Sequence, residues 1–271
     1  MERRGFFTNR RGRRLFYAYH GEPGRFTWIF CNPMLEEKIN AHPVYVGLAR
    51  NFAQNNASVI RFDYEGDGDS EGELASVGVE QWVNDAQDMA RFAQTEFGAT
   101  ALGFFGIRLG GAIATLAAEG LACKQILIWE PIINGQSYFQ DCLKSNLATQ
   151  FSLYKKIVEN RDQLIEKLNA GGSINVLGYE LGKTMCDSLQ KIDLVQTLQH
   201  IHFPVFILGS LRPETGKPLT PAFANLSETK EIKIQMIETI AFWNESKSYQ
   251  PQPDSFVQPS LKILADLDVI H

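Results

Sequence analysis

The chain has 271 residues, 44% of them hydrophobic, and a formal net charge of −5. These values predict a globular protein with one large core or two small ones, and they give no reason to expect nucleic acid or an anionic membrane as the main partner. No stretch approaches the ~20 apolar residues that cross a bilayer, and the N-terminus lacks the apolar segment of a signal peptide. The four cysteines have no metal-type or redox spacing, so we expect reduced thiols, no metal or cofactor, and the cytoplasm as the compartment.

Apolar and alternating runs predict strands in the first quarter of the chain. These strands cover residues 6–8, 15–20, 27–31 and 57–63. Six arginines lie within the first 14 residues, and we interpret them as part of a solvated turn between the first two strands. Residues 44–52 have helical spacing, and repeated glycines predict a loop at residues 65–72.

The middle of the chain alternates helix and strand at short intervals. Helices are predicted over residues 79–97 and 109–118, and strands over 101–105 and 125–129. This alternation favours a parallel sheet with right-handed crossovers.

The alternation breaks after Trp129. Residues 137–200 are mostly helical and polar, and they are too long for a crossover, so we predict a helical cap over the sheet. The elements that follow are strands at 204–209 and 232–237 and a final helix at 259–267. The predicted organisation is a core formed by residues 1–136 and 201–271, with the cap at 137–200.

The most specific segment runs from Phe104 to Gly111 and reads Phe-Phe-Gly-Ile-Arg-Leu-Gly-Gly. A predicted strand enters a tight turn and continues directly into a helix of small residues. The spacing G-x-R-x-G resembles the nucleophile elbow G-x-S-x-G of α/β hydrolases, with Arg108 in the serine position. The flanking glycines are needed because side chains at a sharp turn would collide with the neighbouring helix and strand.

Two other segments agree with this resemblance. Residues 63–72 resemble the D-x-x-G-x-G-x-S-x-G loop that follows an early strand in these hydrolases. Residues 31–34, Cys-Asn-Pro-Met, stand where the superfamily has a His-Gly-x oxyanion loop. The resemblance, closest to the serine aminopeptidase-like branch, implies an α/β-hydrolase fold: a mostly parallel central sheet flanked by helices, with a helical cap insertion.

Within that branch the chain resembles the exosortase-associated hydrolase 2 group, whose members also carry arginine at the elbow. The matching segments are residues 33–37, 106–110, 129–135, 178–181 and 241–243. The likeness covers nearly the whole chain and implies a place in a biosynthetic cluster. It does not define the reaction, because fold does not imply function.

The usual catalytic triad is incomplete. A guanidinium stays protonated and offers no lone pair, so Arg108 cannot form an acyl-enzyme. The catalytic histidine would follow the last strand, but residues 239–244 contain none. Glu214, in the preceding loop, is the candidate nearest to the position of the acid.

Several residues remain candidates for a site around the elbow. The backbone N–H groups of Met34 and Leu109 are predicted to form an anion-binding corner at a helix N-terminus. Arg108 adds a permanent charge, and a buried charge requires a partner. That partner is either a ligand or one of four carboxylates: Glu36, Glu37, Glu130 or Glu214. The remaining pocket candidates are Cys31 and Trp243.

Three functions stay open. In the first, Arg108 binds the anionic part of an acyl ester or thioester while Glu37 or Glu214 activates water. In the second, the chain is a pseudo-hydrolase that binds an anionic ligand or a partner protein without catalysis. In the third, it is a lyase or cyclase with Arg108 as an electrostatic clamp. The expected partner is a small acyl or anionic ligand, free or carrier-bound, and a homodimer is one further alternative.

Overall fold

The structure is a computed structural model that describes residues 1–244, so the helix predicted at 259–267 lies outside the described residues. The strands are β1 (Glu2–Thr8), β2 (Arg14–His20), β3 (Phe26–Cys31), β4 (Ser58–Phe62), β5 (Ala101–Ile107), β6 (Cys123–Trp129), β7 (Ser173–Val176), β8 (Tyr179–Gly182), β9 (Val205–Leu211) and β10 (Ile232–Glu238). The helices are α1 (Glu36–Gln54), α2 (Val79–Glu96), α3 (Leu109–Ala118), α4 (Gly135–Tyr154), α5 (Arg161–Asn169), α6 (Lys183–Gln190) and α7 (Leu194–Leu198). Short 3-10 turns lie at Leu74–Ser76, Pro221–Asn225 and Phe242–Asn244.

Eight strands form one sheet in the order β1-β2-β4-β3-β5-β6-β9-β10. The pairs β1–β2 and β2–β4 are antiparallel, and every other neighbouring pair in this sheet is parallel. Parallel strands joined by helices bring their carboxyl ends to one edge, where ligand sites of open α/β sheets lie. The predicted architecture, a mostly parallel sheet flanked by helices, is confirmed.

Helices cover both faces of the sheet because side chains alternate along its strands. In β3, Trp28 and Phe30 pack on the face covered by α1, whereas Ile29 and Cys31 pack with α2 and α3 on the other. Strands buried on both faces are expected to be mostly apolar, as β3 is apart from Thr27.

The segment between β6 and β9 contains α4 to α7 and, unpredicted, the two-stranded hairpin β7–β8. Its turn is formed by Leu177 and Gly178, at φ 54° and 94°. Two consecutive positive φ values are those of a tight hairpin turn, in which glycine avoids a steric penalty. We call residues 135–198 the cap segment; the division of the chain into separate core and cap domains stays a prediction. Among the helices of residues 1–244, none is long and apolar enough to span a membrane.

The arginine-rich turn between β1 and β2 is tied to α2 rather than simply solvated. Arg10 forms a 2.8 Å ion pair with Asp88. Asn9, at the start of the turn, donates from Nδ2 to the buried carboxylates of Glu65 and Asp85 at 3.2 and 2.8 Å. The turn therefore anchors an edge of the sheet.

Candidate functional site

The elbow places Arg108 between the end of β5 and the start of α3, at φ 55° and ψ −124°. This region is costly for a residue with a side chain. A Cβ on Gly106 would meet the backbone of Gly110, and one on Gly110 would meet the Cys31 carbonyl. The G-x-R-x-G spacing is therefore required to bring the start of α3 against the loop that follows β3.

The Arg108 side chain is held by three neighbours. Nε donates to Glu37 Oε1 at 3.0 Å, Nη1 donates to the Glu130 carbonyl at 3.3 Å, and Cζ lies 5.6 Å from the centre of the Trp243 ring. Burial opposes the charge, but the adjacent carboxylate of Glu37, together with Tyr138 and Glu130, outweighs it and raises the pKa of Arg108. The guanidinium is therefore a permanent cation with an internal counter-ion.

Glu37 lies in the first turn of α1, and both of its carboxylate oxygens are engaged. Oε1 accepts from Arg108, and Oε2 accepts from the Tyr138 hydroxyl at 3.2 Å. Burial raises the pKa of Tyr138 well above its usual value, so this hydroxyl remains a donor. A carboxylate that is already paired with a cation and a hydroxyl is a poor base for activating water.

One end of the guanidinium is left over. Among residues 1–244, Arg108 Nη2 donates to no protein group. It is also not fully buried, because Glu130 Oε1 is the single fully buried side-chain N or O atom of these residues that lacks a partner. Nη2 is therefore accessible from the space around it. It offers donors to a ligand while Nε stays bonded to Glu37.

Two cavities adjoin Arg108. The loop cavity, about 510 Å³, is also lined by Glu130 and by Arg212 and Thr220, from the segment between β9 and β10. The helix cavity, about 490 Å³, lies between α1 and α4. The two cavities share Arg108, Tyr138, Asp141, Trp243 and Asn244.

The helix cavity is acidic. Among the described residues, Glu36, Glu37 and Asp141 line it, against the single cation Arg108. Its walls thus carry more negative than positive charge, which disfavours a free anion.

Glu130 is the second unusual residue of the site. It directly follows β6, is fully buried, and has φ 44°. Oε2 accepts from the Ser210 N–H at 2.7 Å, and Oε1 has no partner among residues 1–244. A buried carboxylate in a strained backbone conformation is typical of functional sites.

The structure brings together most of the predicted site residues. Arg108, Glu37, Glu36, Glu130 and Trp243 line the cavities.

Of the two residues predicted to supply the anion-binding corner, Met34 lines the helix cavity and Leu109 begins α3. Their N–H groups donate to no protein group in residues 1–244. That the two N–H groups meet a ligand stays a prediction.

Two predicted residues lie elsewhere. Cys31 is fully buried in the core, lines neither cavity, and burial raises the pKa of its thiol to about 12. Glu214 is exposed at a turn and lines neither cavity, whereas Arg212 of the same turn lines the loop cavity. The structure therefore does not bring Cys31 or Glu214, both predicted for the site, to the cavities beside Arg108.

Sequence reasoning missed Tyr138 and Asp141, which α4 directs at both cavities. They lie one helical turn apart, as positions 138 and 141. None of the four histidines in residues 1–244 lines either cavity, and this part of the chain contains no cluster of metal-ligating side chains.

Solved structures with this architecture include several hydrolases. Est1E from Butyrivibrio proteoclasticus, with bound ferulic acid, superposes with a TM-score of 0.66 at 14% identity, covering 97% of this chain and 98% of that one. An esterase from Pyrococcus furiosus gives 0.63 at 12% identity, covering 98% and 90%. A proline iminopeptidase from Mycobacterium smegmatis gives 0.62 at 11% identity, covering 97% and 98%. At these identities the likeness establishes the α/β-hydrolase fold.

Comparison of the sequence with known families identifies the family within this fold. No curated protein matches the chain in sequence. Residues 29–168, more than half of the chain, match the family described as Serine aminopeptidase, S33. The chain therefore belongs to the serine aminopeptidase family of α/β hydrolases.

Proposed function

We propose that the protein binds an uncharged acyl ester or thioester without forming an acyl-enzyme, and that Arg108 holds the acyl carbonyl. The observation that carries the proposal is the state of the guanidinium at the elbow. Its charge is balanced by Glu37 at 3.0 Å, while Nη2 is free of protein partners among the described residues.

The state of the residues first considered as nucleophile or base supports binding over hydrolysis. Arg108 cannot attack a carbonyl. Glu37 is doubly engaged, Glu214 lines neither cavity, and the Cys31 thiol is buried with a raised pKa. A water-activating carboxylate or a thiolate is therefore not provided by the residues first considered for those roles.

The charge balance favours a carbonyl over a carboxylate as the bound group. A ligand carboxylate at the elbow would need an unbalanced cation there, but Glu37 already neutralises Arg108, and the other cation lining the loop cavity, Arg212, is exposed to solvent. Glu36 and Asp141 add further negative charge to the helix cavity. An ester or thioester carbonyl is a neutral acceptor, so it gains a charge-assisted hydrogen bond without this repulsion.

The backbone and the cavity walls supply the rest of the site in this proposal. The N–H groups of Met34 and Leu109 act as additional donors to the carbonyl oxygen, at the N-terminus of α3. Ile132, Leu219 and Trp243 offer apolar surface for the acyl chain in the loop cavity. About 500 Å³ is within the usual range for a small-molecule pocket.

The wider setting belongs to the same proposal. We propose that the protein acts in a biosynthetic cluster, in line with its resemblance to the exosortase-associated hydrolase 2 group, with the acyl group free or carrier-bound. All four cysteines are free and buried, which supports a reducing compartment such as the cytoplasm.

Ligand-observed NMR with short-chain and medium-chain acyl thioesters, methyl esters and the matching free acids tests this function. Esters and thioesters are expected to bind the wild type, and Arg108→Ala is expected to weaken them by about tenfold or more, because one charge-assisted hydrogen bond is lost. Ser145→Ala, a helix-cavity change that removes no charge, serves as the control. Tighter binding of the free acids would contradict the proposal and favour the anion-binding alternative. Conversion of the ester would favour an enzyme.

A further inference from the structure

The end of α4 and the loop after it expose an unusual density of apolar side chains. Nine large hydrophobic residues are exposed in residues 1–244, and five of them fall between positions 151 and 158. These five, which we call the cap patch, are Phe151, Leu153, Tyr154, Ile157 and Val158, with 45–67% of their surface exposed. Single exposed hydrophobic residues are ordinary, but five within eight positions, three of which line one cavity (Leu153, Tyr154 and Val158), indicate an interaction site.

The cap patch is held in place by hydrogen bonds. Lys155, at φ 57°, ends α4 and donates its N–H to the Phe151 carbonyl at 2.9 Å. Behind the loop, the buried Gln150 accepts from the N–H groups of Val158 and Glu159 at 2.7 and 2.9 Å, and its Nε2 donates to the Glu159 carbonyl. The loop backbone is thus fixed, and its apolar side chains are directed outward.

Two lysines lie along the chain between the residues of the cap patch. Lys155 donates from Nζ only to the Ser152 carbonyl, and exposed Lys156 forms no ion pair within the described residues. The nearest acid along the chain, Glu159, is paired with Lys167 at 3.7 Å. The patch is therefore locally basic in a chain whose net charge is −5.

We propose that the cap patch docks peripherally on an anionic lipid surface. Phenylalanine, leucine and isoleucine side chains enter the boundary between headgroups and acyl chains, and tyrosine is favoured at that depth. Lys155 and Lys156 complement the negative headgroups.

A second copy of this chain fits the patch less well. An isologous interface would bring the lysines of both copies into one contact, and the nearest acid along the chain, Glu159, is already paired with Lys167, so like charge opposes association. The charge of the patch thus favours lipid as the occupant.

Docking through the cap patch also determines how far the helix cavity lies from the lipid. The same helix, α4, contributes Tyr138, Asp141 and Ser145 to the helix cavity. Ser145 and Phe151 are separated along the helix by about 9 Å. Docking therefore holds the cavity within a short distance of the lipid, and this inference does not depend on what the cavity binds.

Co-sedimentation with vesicles tests the proposal on the full chain. Vesicles of phosphatidylcholine alone are compared with vesicles that also contain phosphatidylglycerol. The wild type is expected to bind the anionic vesicles more strongly and to lose binding with added salt. Lys155→Ala and Lys156→Ala are each expected to weaken binding by about fivefold, and Leu153→Ser by about tenfold.

Phe6→Ser is the matched control for Phe151→Ser. Phe6 is also an exposed phenylalanine, 47% exposed, but lies on the edge strand β1. The Phe151 variant is expected to lose vesicle binding and the Phe6 variant to retain it, with circular dichroism verifying that both are folded. Absence of binding to anionic vesicles, or equal loss in both variants, would overturn the proposal. So would light scattering that shows a dimer dissociated by Leu153→Ser.

Discussion

Replacing Glu37 by glutamine tests whether Arg108 is held by an internal ion pair. The change keeps the shape of the side chain and removes the charge that faces Nε at 3.0 Å. Removing one partner of a fully buried pair costs about 3–5 kcal/mol. Here the two side chains are 15% and 14% exposed and adjoin two cavities, so water screens the remaining guanidinium and we expect about 2–3 kcal/mol.

Urea unfolding of four proteins measures this energy: the wild type, Glu37→Gln, Arg108→Met and the double variant. The double variant is expected to lose less stability than the sum of the single variants, with a coupling of about 1.5 kcal/mol or more. Asp187→Asn is the control, because Asp187 pairs with Lys183 on the surface of α6, where the side chains are 49% and 43% exposed. It should cost no more than about 0.5 kcal/mol. Additive single variants, or equal costs for Glu37→Gln and Asp187→Asn, would refute the ion pair as a stabilising element.

Three further changes test the frame around the site. Gly106→Ala places a Cβ against the backbone of the next turn, and it should abolish folding or lower the free energy of unfolding, measured thermally, by more than about 3 kcal/mol. Gly111→Ala, whose Cβ would have its nearest contact at 3.0 Å, should lower it clearly less. Burial lowers the pKa of His20 from 6.5 to about 4, and its Nε2 accepts from Arg61. Because the unfolded chain binds more protons in this range, the free energy of unfolding should fall by about 2–3 kcal/mol as pH drops from 6.5 towards 4. His20→Gln should remove this pH dependence. Asp85→Ala leaves three donors without their acceptor and should lower the free energy of unfolding, measured in urea, by about 3 kcal/mol. If Asp85→Asn, which retains one acceptor oxygen, is equally unstable, the loss of these hydrogen bonds is not the cause.

The fold was predictable because its signals are local. At Gly106 and Gly110 the Cβ of any other residue would collide with the backbone, so these glycines mark the turn in the sequence. Apolar strands and amphipathic helices alternate along residues 79–129, and that order alone predicts a parallel sheet. The hairpin at Leu177-Gly178 was missed because its strands have four residues each, too few to show a period.

The partner of Arg108 could not be chosen from sequence. Four carboxylates were candidates, and the choice depends on where α1 begins. The sequence prediction started the helix at Val44, just after Pro43, but the proline lies inside a helix that begins at Glu36. Only this earlier start places Glu37 in the first turn, against the elbow. The pairing is a product of tertiary packing, as is the approach of Tyr138 from the cap segment.

Hydrolysis of a panel of nitrophenyl esters and acyl thioesters, by the purified wild type and Arg108→Ala, is the most direct test of the claim that the elbow does not catalyse acyl hydrolysis. Neither protein is expected to turn over any member of the panel, because Arg108 offers no nucleophile and Glu37 is engaged by Arg108 and Tyr138. Turnover by the wild type that Arg108→Ala abolishes would contradict this and reveal an active site with an unconventional mechanism.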